Sequence, residues 1–161
     1  MQRKQNGMKV NIFNNSSKRI IYRKDIERVV EYVIREEKKT NKLLKNFNIN
    51  SAEITFLFVD DKQMKKYNKQ YFNRTGSTDV ISFSMLEGEE ILYNNTLGDA
   101  VISVETAERN SAAYNNSYKE ELLLLVIHAV LHILGYDHET DNGEMREKES
   151  FYFNKLVKQK K

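Results

Sequence analysis

Leu122-Leu123-Leu124-Leu125-Val126-Ile127-His128-Ala129-Val130-Leu131-His132-Ile133-Leu134-Gly135-Tyr136-Asp137-His138 carries all three histidines of the 161-residue chain in its last eleven positions. Apolar residues surround the first two on every side of a 3.6-residue turn. A helix hydrophobic nearly all round is a buried one, so the pattern predicts a buried helix over 119–134. His128 and His132 stand at i and i+4 and therefore project from one face. Gly135 offers the positive φ that ends a helix, and three residues later His138 can return toward the same point. Imidazole is the commonest side chain for transition metals and suits zinc. Three ligands with one open corner are the catalytic form of a zinc site. A lone histidine in such surroundings is ordinarily a hydrogen-bonded core residue. Three in this arrangement, with none elsewhere, read as one ligand set: His128, His132 and His138, holding one Zn2+ per chain. The affinity order alone does not select zinc over nickel or another ion.

Working outward, Ile26, Val29, Val30, Val33 and Ile34 repeat at helical spacing and predict an amphipathic helix from Tyr22 onward. Leu43, Leu44 and Phe47 suggest a short helical piece after it. Met8 to Phe13 alternates weakly, as a first strand would. Ala52 to Val59 is β-rich and apolar on both faces, the mark of a central strand. Asp60 is an expected N-cap for a helix to Phe72, with Met64, Tyr67 and Tyr71 inward and Lys62, Lys66 and Lys69 outward. Asp79 to Met85 and Gly98 to Val104 read as two strands joined through a polar turn around Glu87–Glu90 and Asn94–Asn95. Helices are expected over 105–115 and 142–158, the last with Met145, Glu149, Tyr152 and Leu156 along one face. The order predicts an α+β fold, a single domain over 1–161, with a roughly four-stranded mixed sheet packed with helices and the zinc site on the buried C-terminal helix.

Composition limits the function. There is no cysteine, so neither a disulfide framework nor a Cys-rich structural zinc site is available. The N-terminus has no apolar stretch of the secretory kind, and the longest apolar run is too short for a bilayer. A soluble cytoplasmic protein is the expectation. Net charge is only +3, yet residues 1–48 carry 13 Lys/Arg against 5 Asp/Glu and the rest 13 against 18. A basic half suits polyanions, although a solvated Lys/Asn-rich helix face explains the same numbers and is the preferred reading on charge alone.

The histidine spacing matches the metzincin pattern His-Glu-x-x-His-x-x-Gly-x-x-His except that Ala129 stands where those proteases carry the general base. A methyl group cannot take a proton from a metal-bound water, which argues against peptide hydrolysis. The motif His128-Ala-Val-Leu-His132-Ile-Leu-Gly135-Tyr136-Asp137-His138 resembles instead the signature of the YbeY family of bacterial endoribonucleases. Tyr71 followed by Thr78-Asp79-Val80-Ile81-Ser82-Phe83 resembles that family's central block. Leu97-Gly98-Asp99 with Val101-Ile102-Ser103 resembles its next strand, and Met145 with Glu149 its final Met-x-x-x-Glu pair. The likeness runs from about Tyr67 to Glu149.

The resemblance implies a zinc-dependent, single-strand-specific endoribonuclease acting in small-subunit (16S) ribosomal RNA 3′-end maturation and ribosome quality control. It implies an α+β fold with the three histidines as zinc ligands at the base of a cleft. Its partners would be single-stranded ribosomal RNA and the small ribosomal subunit, with no membrane and no DNA. A non-catalytic assembly factor braced by zinc is the alternative, and a divergent metallopeptidase using Glu139 as base ranks below both.

The chain departs from the family at Phe72, where members have an arginine thought to hold RNA phosphate. Arg74, two residues on, either reaches the same spot as a catalytic residue or is an ordinary surface cation. Ser77 and Ser84 occupy proline positions, and Ala100 replaces a larger apolar residue. Asp79, Asp99, Asp137 and Glu139 are candidate acceptors for the free imidazole N–H groups; Asp79 and Asp99 serve equally well as turn or strand-end residues. Lys62, Lys65, Lys66 and Lys69 with Tyr67, Tyr71 and Phe72 form a candidate RNA-facing patch, with core packing the preferred role for Tyr67 and Tyr71.

Overall fold

The computed structural model describes residues 7–18, 20–86 and 95–159. Its frame is a four-stranded mixed sheet in the order β1 (Lys9–Asn14), β2 (Glu53–Val59), β4 (Thr96–Ser103), β3 (Val80–Ser84). The first three strands run parallel, and β3 pairs antiparallel with β4 from Val80↔Ile102 to Ser84↔Gly98. The polar turn expected over 87–94 lies outside the described residues. Among the described residues there are five α-helices, α1 (Arg23–Lys38), α2 (Asp61–Phe72), α3 (Val104–Ala113), α4 (Tyr118–Ile133) and α5 (Glu144–Phe153), the last continued by a π-helical turn over Asn154–Lys158, with short 3-10 turns at Lys42–Leu44 and Ile49–Ser51.

The inner sheet face presents Ile54, Phe56, Phe58, Ala100 and Ile102, all essentially inaccessible. α4 packs on this face against β3 and β4 and is flanked by α1, α3 and α5. It begins with a capping box, Ser117 Oγ accepting from Glu120 N at 3.1 Å and Glu120 Oε2 accepting from Ser117 N at 2.8 Å. Leu122, Leu123, Val126, Ile127, Ala129, Val130, Leu131 and Ile133 are buried around it, as expected of an all-round apolar helix. Each such aliphatic side chain contributes about 1.5–3 kcal/mol of transfer free energy, so α4 is the principal stabilising element.

The outer sheet face is only half covered. α2 seals one end through Val59, Met64, Ile81 and Val101, starting at Asp60 with a capping box to Gln63. Of the two tyrosines of α2 expected inward, Tyr67 packs against this cluster and Tyr71 is the one corrected. Met64 and Asn68 are the buried residues of the helix, Tyr67 is half-buried, and Tyr71 is 51% exposed. The inward row of the helix runs i to i+4 through Met64 and Asn68, and Tyr71 projects beyond it over sheet that no further layer of the described residues covers. Thr55 and Leu57 on β2 are likewise half-buried rather than core, because they face this open part.

Gly98 is required by a close approach: a Cβ there would lie 2.2 Å from the Phe83 carbonyl oxygen on β3. At the other end of the sheet Asp61 fastens α2 to its surroundings. Its Oδ1 accepts from Ser103 Oγ at 2.7 Å, Ser77 Oγ at 3.0 Å and Thr106 Oγ1 at 3.2 Å, and its Oδ2 from Arg109 Nη1 at 2.6 Å. The Arg109 hydrogen bond, aided by the serine hydroxyls, holds this carboxyl well below the usual carboxylate range despite opposing burial. A carboxyl depressed on folding stabilises above its ordinary pKa of 3.8 and loses that contribution as pH falls below it. Asp61→Asn is therefore expected to cost about 1–3 kcal/mol in urea denaturation at pH 7. The gap to the parent protein should narrow as the titration is repeated below pH 4, and a constant gap at all pH values would disprove the ionised latch.

Candidate metal centre

α4 delivers His128 and His132 side by side, as their spacing requires, and its end delivers the third ring. Gly135 adopts φ 96° and the Tyr136 N–H returns to the Leu131 carbonyl at 3.0 Å, the six-to-one closure of a Schellman motif. His138 thereby folds back, and one donor nitrogen from each of the three rings lies within 4.8 Å of the others. His128 Nε2 and His132 Nε2 are 3.1 Å apart.

The outer nitrogens determine the tautomers. His128 Nδ1 is 2.7 Å from Glu149 Oε2 on α5 and so carries its proton there. The His132 ring lies against the Tyr136 backbone, which favours its protonated form but is outweighed by burial. The two Nε2 atoms face each other at a separation that a shared proton or a shared cation would bridge. Burial, reinforced by His128 and His138, lowers the pKa of His132 and keeps it neutral, the form that ligates. Two zinc ligands at bond lengths of about 2.0–2.1 Å in a tetrahedron stand about 3.3 Å apart, close to the spacing of the two Nε2 atoms. Three buried polar atoms among the described residues lack a hydrogen-bond partner, and two of them, His138 Nδ1 and Ser82 Oγ, belong to cleft-lining residues. Buried polar atoms are ordinarily satisfied, so the donor set fits a metal ion.

The histidines open into a cleft of about 500 Å³, bordered by Phe72, Arg74, Asp79, Ser82, Asp137 and Glu139 among others. Arg74 thus shares the cleft with the three rings. Of the four carboxylates expected to accept imidazole N–H groups, Asp79 caps its own strand through Val80 N at 2.8 Å, and Asp137 accepts from Glu139 N at 3.0 Å. Glu139 is exposed at the cleft rim. Asp99 lies on the outer sheet face, in a separate groove with Thr55, Leu57, Tyr67, Tyr71 and Phe83. Burial there raises its pKa, with the charge of Glu53 adding to the effect. The acceptor is Glu149 instead. The helical face shared with Met145, Tyr152 and Leu156 was the available signal, since a carboxylate on an otherwise apolar face needs a reason to be there.

Sequence reasoning also missed what braces the loop between His132 and His138. Glu37, 1% exposed at the end of α1, accepts from Tyr136 Oη at 2.5 Å, Tyr152 Oη at 2.6 Å and Lys148 Nζ at 3.1 Å. Burial and the hydrogen bonds to Glu37 raise both tyrosine pKa values, so they remain donors. Asn41 Nδ2 donates to the Leu134 carbonyl at 3.0 Å, and Leu43 packs where a Cβ on Gly135 would stand.

A family model described as "Endoribonuclease YbeY" matches residues 11–157. A protein named "Endoribonuclease YbeY" from Syntrophus aciditrophicus is 44% identical over 121 residues, spanning 72% of this chain and 76% of that protein. One of the same name from Petrotoga mobilis is 35% identical over 157 residues, spanning 96% and 99%. The solution structure of TM1509 from Thermotoga maritima superimposes with a TM-score of 0.62 at 25% identity, covering 93% of this chain and 90% of that one.

Glu149→Gln is expected to weaken zinc affinity about 10–100-fold, read by chelator competition, with an unchanged far-ultraviolet spectrum. Glu37→Ala leaves two hydroxyls and Lys148 without their acceptor and should cost about 3 kcal/mol in chemical denaturation. A loss within error of zero would show that the buried carboxylate does not brace the loop.

Proposed function

The chain belongs to the YbeY endoribonuclease family, and on that premise we propose that it is a zinc-dependent, single-strand-specific endoribonuclease, one domain over residues 1–161, acting in 16S ribosomal RNA 3′-end maturation and ribosome quality control. The observation that carries this reading is the set of three imidazoles turned toward one point at the floor of an open cleft. His128, His132 and His138 hold the ion. When bound there, zinc supplies a Lewis acid for a phosphate oxygen and a water of lowered pKa.

The chain's own residues do the rest. Glu149 holds the His128 Nδ1 proton and so keeps Nε2 free as a ligand. Arg74 at the cleft wall offers a planar donor fork matched to phosphate and is assigned the role of holding the scissile diester. Ala129, buried on α4 where a metzincin has its glutamate, has no proton-accepting atom, and this disfavours peptide hydrolysis. The partners in this reading are single-stranded ribosomal RNA and the small subunit in the cytoplasm, not DNA or membrane. No helix among the described residues is long and apolar enough to cross a membrane.

Metal analysis of the purified chain should find one zinc per molecule. Cleavage of a single-stranded RNA should stop on chelation, return on adding zinc, and be absent in His128→Ala that keeps its helical spectrum. Arg74→Ala should lower kcat/KM while leaving the zinc content intact. A fully metal-loaded protein that cuts no RNA would instead point to an assembly factor in which zinc only braces the C-terminal part.

A further inference from the structure

Tyr71 and Phe72 are adjacent on α2, both exposed, yet they face different places. Tyr71 packs edge-on against Phe83 with ring centroids 5.0 Å apart and lines the outer groove of the sheet. Phe72, 45% exposed, lines the cleft that holds the three histidines. Among the described residues, no element covers this apolar ring at the mouth of a polar cleft. Its plane is nevertheless set, lying nearly parallel (7°) to the Phe83 ring at a centroid distance of 6.2 Å.

The segment that follows is pinned as well. Asn73 takes the left-handed conformation at φ 50° and ends α2, its N–H returning to the Lys69 carbonyl at 3.0 Å. The buried side chain of Asn68 donates to the Gly76 carbonyl at 3.1 Å and closes the loop. This turn places the Arg74 guanidinium over the Phe72 ring, its carbon 5.9 Å from the centroid. A π-face and a donor fork therefore stand together on a fastened turn, in the cleft that the three histidines also line.

We infer that Phe72 and Arg74 form one nucleotide-binding subsite, in which a nucleobase next to the scissile phosphate replaces the Arg74 guanidinium over the Phe72 ring while Arg74 swings to the phosphate. This rests on the endoribonuclease reading of the cleft and adds a specificity element to it. A base can reach the ring only when unpaired and unstacked from its neighbours, so the subsite selects single strands. Every base has a π-face, so the selection is tolerant of sequence.

The test combines a variant with a substrate lesion. Phe72→Ala should lower kcat/KM on a short single-stranded RNA roughly tenfold, chiefly through KM, as expected for loss of one base–aromatic stack. An abasic residue beside the cut should lower the parent enzyme equally. The two changes together should cost no more than either alone, and Phe72→Trp should restore the parent value. Effects of Phe72→Ala and the abasic residue that multiply, or a Phe72→Ala variant equal to the parent, would overturn the subsite. A second readout separates this from the reading it rests on: fluorescence of 2-aminopurine in a 2′-O-methyl single strand, partly quenched by its stacked neighbours, should rise as the base leaves them for the zinc-loaded parent protein, and not with Phe72→Ala. That rise without cleavage would leave the subsite standing and defeat the nuclease assignment. Cleavage without a Phe72-dependent rise would do the reverse, and neither signal would defeat both.

Discussion

The molecule is organised by the need to bury α4 on every side except one. Ten of its residues from Leu122 to Ile133 are aliphatic, and water must be removed from all faces of such a helix. The sheet covers one side, and α1, α3 and α5 cover the others. The uncovered edge is where His128 and His132 project. The apolar packing that stabilises the fold is therefore also what fixes the two imidazoles and excludes solvent behind them, strengthening the field of any ion they hold.

Around this core, several buried or half-buried polar groups hold distant elements in place. Glu37 anchors the loop carrying His138 to α1 and α5 through two tyrosines and a lysine. Asn68 closes the loop carrying Arg74, and Asp61 joins α2 to β4 and α3. Leaving such a group unpaired in low dielectric costs more than the bond itself returns in water, so each acts as a specific fastener rather than as general adhesion. The cleft is walled by two of these fastened loops and floored by α4, which gives it a defined shape before any ligand enters.

The open half of the outer sheet face follows from the same topology. Four strands offer more surface than α2 can cover, and Tyr71, Phe83 and Asp99 are left in a groove apart from the histidines. Asp99 stands in a motif-bearing strand, yet strand parity turns it away from the metal centre: its register neighbours Thr55 and Phe83 share its face, while Ala100 points to the core.

Much of this was legible in the residues. The buried helix, the amphipathic α1, the glycine at the end of α4 and the i, i+4 histidines are all local, set by side-chain period and backbone freedom within a few positions. The four strands were legible for the same reason, with β2 central. What the chain order could not disclose were relations across the fold. Glu149 meets His128 from 21 positions away, and Glu37 meets Tyr136 from 99. Which half of a residue pair such as Tyr71 and Phe72 faces the cleft depends on how α2 lies on the sheet. Spacing along the chain determined which donors exist and on which helix face they stand. Only the packing of distant elements decided which carboxylate orients them, what braces the returning loop, and which ring and cation share the cleft, because those contacts are set by geometry between segments that sequence separation does not encode.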